Sequence, residues 1–155
     1  MVKMIMHGCN GAMGQVISKI VEEDENITIA GGIDVNDTIQ NSYPVFPSLE
    51  ACTVEADVIV DFASAKAVNG LLSYCSEKRI PVVVCTTGLS EEQIQLVEET
   101  SRQVAVLRSA NMSLGINLLL KLVKEAAEVL AESGFDIEIL EKHHNKKVEA
   151  PSGTA

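Results

Sequence analysis

A doubly wound, parallel α/β sheet is the fold this sequence predicts, on three observations. Short apolar runs alternate with segments of helical periodicity along nearly the whole chain, the pattern of a right-handed βαβ series. Aromatic residues are scarce, with no Trp, two Tyr and three Phe in 155 residues, so the core must come from Ile, Val, Leu and Ala. That palette suits strands covered by helices on both faces. Between the first strand and the first helix sits a glycine-rich turn, Gly8-Cys9-Asn10-Gly11-Ala12-Met13-Gly14.

Val2–Met6 is an apolar run leading into that turn, the form of a buried strand. Ala12–Glu23 has helical spacing and places Met13, Val16, Ile17, Ile20 and Val21 largely on one face. Ile27–Ile33 is the second strand, closed by Asp34; residues 35–47, with turn formers and two prolines, read as a surface loop. Asp57–Asp61 is the third strand and Ala65–Glu77 the second helix. Pro81–Val84 gives a fourth strand, followed by Thr86-Thr87-Gly88. Ser90-Glu91-Glu92-Gln93 reads as an N-cap with a polar first turn, opening a helix to about Thr100. Val104–Leu107 is a fifth strand. The longest helix, Ser113–Glu132, is apolar over a wide arc and is expected to bury more than one face. Phe135–Leu140 reads as a sixth strand, running into two adjacent histidines. The expected organisation is a dinucleotide-binding domain over 1–112. A linking helix, a first strand and a catalytic loop of a second domain would then occupy 113–155.

At 155 residues the chain can hold one domain with a proper core but not two full ones. A formal net charge of −10 argues against nucleic acid or an anionic membrane as partner. The one positive cluster, Lys142, Lys146 and Lys147, flanks the histidines and could draw in a small anionic substrate, or could simply decorate a solvated strand end. Cys9, Cys52, Cys75 and Cys85 show no metal-finger spacing; Cys75 and Cys85 read as small buried residues. No segment resembles a signal peptide or reaches the length of a membrane span, which predicts a reduced, cytoplasmic location.

Gly8-x-x-Gly11-x-x-Gly14 has the right context for a dinucleotide-binding turn. The first glycine allows the tight turn, the second lets backbone approach a pyrophosphate, and the third lets helix pack closely on strand. Phosphates would lie at the helix N-terminus, held by its N–H groups and macrodipole. Asp34, 20 residues after Gly14, can accept hydrogen bonds from a ribose 2′-hydroxyl. A carboxylate there repels a 2′-phosphate, and Val35, Asn36 and Ala12 supply no offsetting cation. NADH is therefore expected over NADPH, which stays open as the second choice. Thr86-Thr87-Gly88 and Ser109-Ala110-Asn111-Met112 fall at carboxyl ends of strands, where open α/β sheets bind ligands, and can line a nicotinamide or ribose pocket.

His143 and His144, adjacent at an extended end, point to opposite sides and cannot share one task. One can face a cleft as acid or base near its natural pKa while the other orients ligand or packs. Lys147 offers a cation able to bind a carboxylate or donate a proton, and Ser152-Gly153-Thr154 offers hydroxyls and backbone N–H groups. Metal binding by His-His is the rival reading, but no Cys or carboxylate stands at ligand spacing and no metal is expected.

Glu141-Lys142-His143-His144-x-x-Lys147-Val148-Glu149-Ala150-Pro151-Ser152-Gly153-Thr154-Ala155 resembles the signature of the dihydrodipicolinate reductase (4-hydroxy-tetrahydrodipicolinate reductase) family. Met13-Gly14, Asp61-Phe62, Thr86-Thr87-Gly88 and Ala110-Asn111-x-Ser113 fall in the family's order, and the likeness spans the whole sequence. The resemblance implies a Rossmann-like domain and reduction of a cyclic dicarboxylate by a nicotinamide cofactor, with loss of water, in lysine and diaminopimelate synthesis. It implies His143 as the acid–base residue and Lys147 as proton donor, with His144, Ser152, Gly153 and Thr154 holding substrate. Cofactor contacts are implied at Gly8, Cys9, Asn10, Gly11, Ala12 and Met13, at Asp34, at Cys85, Thr86 and Thr87, and at Ser109, Ala110, Asn111 and Met112. Cys85 stands where the family usually has Gly, and Met112 where it often has Phe.

The family continues past this point into a substrate domain that also builds a homotetramer. The expectation is accordingly a truncated form, weak or inactive in catalysis, with the strand at 135–140 lacking sheet partners. Two other functions compete: a non-catalytic dinucleotide-binding module that senses redox state, and another amino-acid dehydrogenase. The module would keep the glycine turn and Asp34 but would not need His143, Lys147 or Ser-Gly-Thr.

Overall fold

Val2–His7 (β1) has the alternation that a strand buried on both faces requires. Met4 and Met6 pack into one apolar cluster with Cys9 and Ile29, while Ile5 packs into the other with Ile33, Ile59, Leu71, Leu72 and Val82. In the computed structural model, which describes residues 1–143, 145, 151, 152 and 154, this strand lies at the middle of a six-stranded sheet. Its companions are Ile27–Ile33 (β2), Val45–Phe46 (β3), Val58–Asp61 (β4), Val82–Val84 (β5) and Val106–Arg108 (β6), in the order β3-β2-β1-β4-β5-β6. Every pairing is parallel. Successive strands run outward to one edge from β1 and then outward to the other from β4. The topological switch therefore falls between β1 and β4, whose last residues, His7 and Asp61, are in register.

Among the described residues four α-helices accompany these strands: Ala12–Glu22 (α1), Val68–Lys78 (α2), Glu91–Ser101 (α3) and Leu114–Glu132 (α4). One 3-10 turn, Ala65–Ala67, leads into α2. Ser90 starts α3 with a capping box: its hydroxyl accepts from Gln93 N–H while the Gln93 side chain accepts from Ser90 N–H. None of the helices is long and apolar enough to cross a membrane, among the described residues.

The Rossmann-like expectation holds, with four local corrections. The segment 35–47 is not wholly loop, because Val45–Phe46 adds β3 to the edge of β2. The buried side of α1 is Gly14 and Ser18, with Ile17 and Val21 partly covered, so Met13, Val16 and Ile20 face outward. At Gly14 the helix sits too close to the glycine turn for any side chain. Phe135–Leu140 pairs with nothing among the described residues and forms no strand; a strand needs a ladder partner, and its apolar side chains are exposed. Finally, α4 buries none of its residues.

The chain divides into two units, Met1–Ser109 and Ala110–Ala155. The first holds the whole sheet and both apolar clusters. Among its described residues the second holds one helix and no strand, so it contains no layer against which α4 could bury its leucines.

Candidate functional site

At the carboxyl end of β1 the chain turns sharply. Gly8 takes φ +81°, and a Cβ there would stand 2.8 Å from the Phe62 carbonyl carbon. Gly14 is tighter still: a Cβ would meet the Gly8 carbonyl oxygen at 2.3 Å and the Cys9 carbonyl oxygen at 2.5 Å. The turn is therefore packed backbone to backbone, and α1 starts at Gly11 with no side chain capping it. An uncapped helix start at the carboxyl edge of a parallel sheet offers N–H groups and a positive dipole to an anion.

Asp34, just past β2, is held by both carboxylate oxygens, one to this turn and one to its own following segment. Oδ2 accepts from Asn10 N–H at 2.9 Å and Oδ1 from Asn36 N–H at 2.9 Å. Amide side chains continue the tie. Asn10 Nδ2 donates to the Asn36 carbonyl, Asn41 Nδ2 donates to Asn10 Oδ1 at 2.8 Å, and Gln15 Nε2 donates to Asn41 Oδ1 at 2.9 Å. These bonds join the glycine turn to the segment after β2. Beside them opens a cavity of about 490 Å³ bordered by His7, Gly8, Asn10, Gly11, Asp34 and Asn36, with Phe62 and Ala63 on another wall. Burial, reinforced by the negative charge of Asp34, pushes the Cys9 thiol up to about 11. Cys9 is thus a neutral packing group against Gly32 and not a nucleophile.

A second polar group occupies the switch point. The Asp61 carboxylate is fully buried. Its Oδ1 accepts from His7 Nδ1 at 2.7 Å and from Ala63 N–H at 3.2 Å, and its Oδ2 accepts from the Thr86 hydroxyl at 2.7 Å. Thr86 follows β5 and is buried; Thr87 is half-buried. Cys85 hydrogen-bonds through its backbone N–H to the Asp61 carbonyl at 3.0 Å, and burial, then Asp61, pushes its thiol up to about 11. Ser109 N–H is held by the Val84 carbonyl at 3.1 Å.

Within the second unit, Glu141 gathers polar groups. One carboxylate oxygen accepts from Ser152 N–H at 2.7 Å; the other accepts from the Ser152 hydroxyl and lies 3.4 Å from His143 Nδ1. Thr154 N–H reaches Ser152 Oγ at 3.3 Å, and Thr154 Oγ1 accepts from Asn111 Nδ2 at 3.1 Å. Asn111 Oδ1 in turn accepts from Ser113 N–H, beside the start of α4. Asn111, expected on the cofactor side, thereby touches Thr154, expected on the substrate side.

Of the residues singled out in sequence, Gly8 to Gly14 and Asp34 form one connected arrangement, and Cys85, Thr86, Thr87 and Ser109 lie at strand ends in the same unit. Ala110, Asn111 and Met112 fall in the second unit with His143, Ser152 and Thr154. His144, Lys147 and Gly153 lie outside the described residues. Reading the sequence missed His7, the amides Asn36, Asn41 and Gln15, and the gathering role of Glu141. A signal existed for His7, a polar residue ending an otherwise apolar strand, and for Glu141, two positions before His143.

Comparison with known proteins bears on family and fold. Residues 2–112 match the family described as dihydrodipicolinate reductase, N-terminus, and residues 115–155 the family described as dihydrodipicolinate reductase, C-terminus. The 4-hydroxy-tetrahydrodipicolinate reductase of Caldanaerobacter subterraneus subsp. tengcongensis is 51% identical over 155 residues, all of this chain and 61% of its own length. That of Clostridium tetani is 45% identical, with 60% of its length covered. The chain thus spans about three fifths of these relatives. A dipicolinate-bound dihydrodipicolinate reductase from Paenisporosarcina sp. TG-14 superposes with a TM-score of 0.77 at 30% identity, over 99% of this chain and 62% of the other. Homoserine dehydrogenase of S. aureus shares the fold at 16% identity and a TM-score of 0.61 over 70% of this chain.

Proposed function

This chain belongs to the dihydrodipicolinate reductase family, and on that premise we propose that it takes part in the reduction of 4-hydroxy-tetrahydrodipicolinate to tetrahydrodipicolinate, with loss of water. The observation that carries the reading is the Glu141 cluster, which joins the signature's His143 and Ser152 through one carboxylate.

The residues present fit a dinucleotide. The uncapped start of α1, the backbone packing at Gly8 and Gly14, and Asp34 on the cavity wall suit a pyrophosphate and an adjoining ribose diol. Gly8 to Gly14 and Asp34 would hold the adenosine and phosphate portion. Cys85, Thr86, Thr87, Ser109, Ala110, Asn111 and Met112 would border the nicotinamide. When bound, the nicotinamide supplies the hydride that the reaction consumes. Asp34 supports NADH over NADPH, since a 2′-phosphate would have to displace a carboxylate held by two backbone N–H groups.

His143 would hold and move a proton. Its Nδ1 faces Glu141 Oε2, which favours the proton on Nδ1 and leaves Nε2 to exchange with substrate. Glu141 also holds Ser152, so the same carboxylate orients both a proton carrier and a hydroxyl suited to a substrate carboxylate. Lys147 would supply the proton that quenches charge developing on the reduced imine, with His144, Gly153 and Thr154 as further substrate ligands. The family's homotetramer is proposed for the whole protein.

The test is NADH oxidation by this chain with substrate generated in situ by its synthase, for wild type, His143→Ala and Lys147→Met. Loss of turnover of at least 100-fold with NADH binding retained is the expected outcome, the scale of losing a general acid–base residue. Turnover unchanged by both substitutions overturns the assigned roles.

A further inference from the structure

Asp61 is buried at the carboxyl end of β4, between the two halves of the proposed dinucleotide site. On one side β1 ends at His7, the residue before Gly8 of the glycine turn. On the other, β5 is followed by Thr86 and Thr87. The carboxylate reaches both: His7 Nδ1 at 2.7 Å through Oδ1, and the Thr86 hydroxyl at 2.7 Å through Oδ2. A third bond, from Ala63 N–H at 3.2 Å, stops the carboxylate from turning about its last torsion. A carboxylate can only accept, so His7 must present its Nδ1 proton and Thr86 its hydroxyl proton, and each partner has one orientation that satisfies Asp61.

Burying a charged carboxylate is costly, and removing one of its donors leaves the remaining charge poorly solvated. The three side chains therefore stay together or rearrange together. The sheet alone spaces these strand ends through backbone bonds, such as Phe62 N–H to the His7 carbonyl at 2.9 Å and Cys85 N–H to the Asp61 carbonyl at 3.0 Å. Those bonds stop where the ladder stops. Past it, the His7–Asp61–Thr86 bridge is a side-chain hydrogen-bonded link between the glycine turn and the loop after β5.

We propose that Asp61 is a positioning residue of the dinucleotide site. Through His7 and Thr86 it sets the spacing between the glycine turn, which takes the pyrophosphate, and the Thr86-Thr87 loop, which borders the nicotinamide. The inference rests on the dinucleotide reading above. Asp61 itself touches no ligand in this role; it transmits the position of one half to the other. His7 occupies the pyrophosphate side and reaches the nicotinamide side through Asp61.

That asymmetry gives the test. Dissociation constants for NADH and for ADP-ribose, which lacks the nicotinamide ring, are measured on this chain by titration calorimetry, as wild type, His7→Leu and His7→Asn. Asn can donate from its amide near the place of Nδ1, and thermal unfolding reports whether each variant is folded. The expected result is about tenfold weaker NADH binding for His7→Leu, the scale of one lost buried hydrogen bond. ADP-ribose binding should weaken by clearly less than NADH binding does, and His7→Asn should recover most of the NADH affinity. Equal weakening of both ligands would mean that His7 merely supports its own turn, and would overturn the inference, as would no change in either. In an Asp61→Asn background, His7→Leu should add little; a full additive effect also overturns it. If His7→Leu does not fold, the ratio of NADH to ADP-ribose affinity in Asp61→Asn decides the matter in the same way. Wild type that binds neither ligand overturns the dinucleotide reading itself, and this inference with it.

Discussion

Burial separates the four cysteines into two classes. Burial, then the charge of Asp61, raises Cys75 to about 12, and burial is likewise the first cause of the rise to about 11 at Cys9 and Cys85. Cys52 is half-buried. At pH 8 a disulfide reagent such as Ellman's should titrate one thiol rapidly in the folded chain and the other three after unfolding; four fast thiols would contradict the packing. The sign of the pH dependence follows. The three buried thiols keep their protons to higher pH when folded than when unfolded, where they release them near pH 9. Their contribution to stability is complete below about pH 9 and is lost as pH rises toward 11 and 12. Urea midpoints should accordingly fall between pH 8 and pH 11. At this scale the sequence was most legible where chemistry is local. Gly8, Gly11, Gly14 and Asp34 declare a turn and an acceptor by type and spacing. His7 did not declare its partner, because Asp61 is 54 residues away and is brought alongside by strand pairing.

Among the elements, α3 shows how a few residues decide a boundary. Ser90 and Gln93 satisfy each other's backbone N–H groups, and the Gln93 side chain also reaches the Ala65 carbonyl in the 3-10 turn and Asn69 at the start of α2. Ser90→Ala should cost about 1 kcal/mol and lower the thermal midpoint by roughly 3–4 °C, the shift per kcal/mol of a domain this size. An unchanged midpoint would show that Gln93 carries the boundary alone. The capping signature was readable because it is written within four residues. Val45–Phe46 was not, since two residues carry no periodicity and become a strand through the edge of β2. Phe135–Leu140 failed in the opposite direction: its alternation is strand-like, but a ladder needs a second strand. The outward turn of Met13, Val16 and Ile20 has a similar origin, in the close approach of Gly14 to the glycine turn, which no single-helix pattern encodes.

For the molecule as a whole, the alternation of strands and helices gave the architecture, because each βαβ unit has one favoured hand and one way to lie on its neighbour. Site assembly was less legible, since it depends on which strand ends become neighbours. The strand order has a further consequence, for the sequence of events in folding. β1 is flanked by β2, which is local, and by β4, whose pairing partner His7↔Asp61 closes a stretch of 54 residues. Such a closure is slow relative to the β1–α1–β2 unit and adds its entropy cost before its contacts form. The glycine turn can thus be shaped early, while the wall contributed by Phe62 and Ala63 waits for β4. A dinucleotide that needs both walls meets a binding site on the native side of the main barrier. NADH should leave the refolding rate unchanged and slow unfolding in proportion to its occupancy, so that the ligand acts as a brake on opening and not as a template for closing.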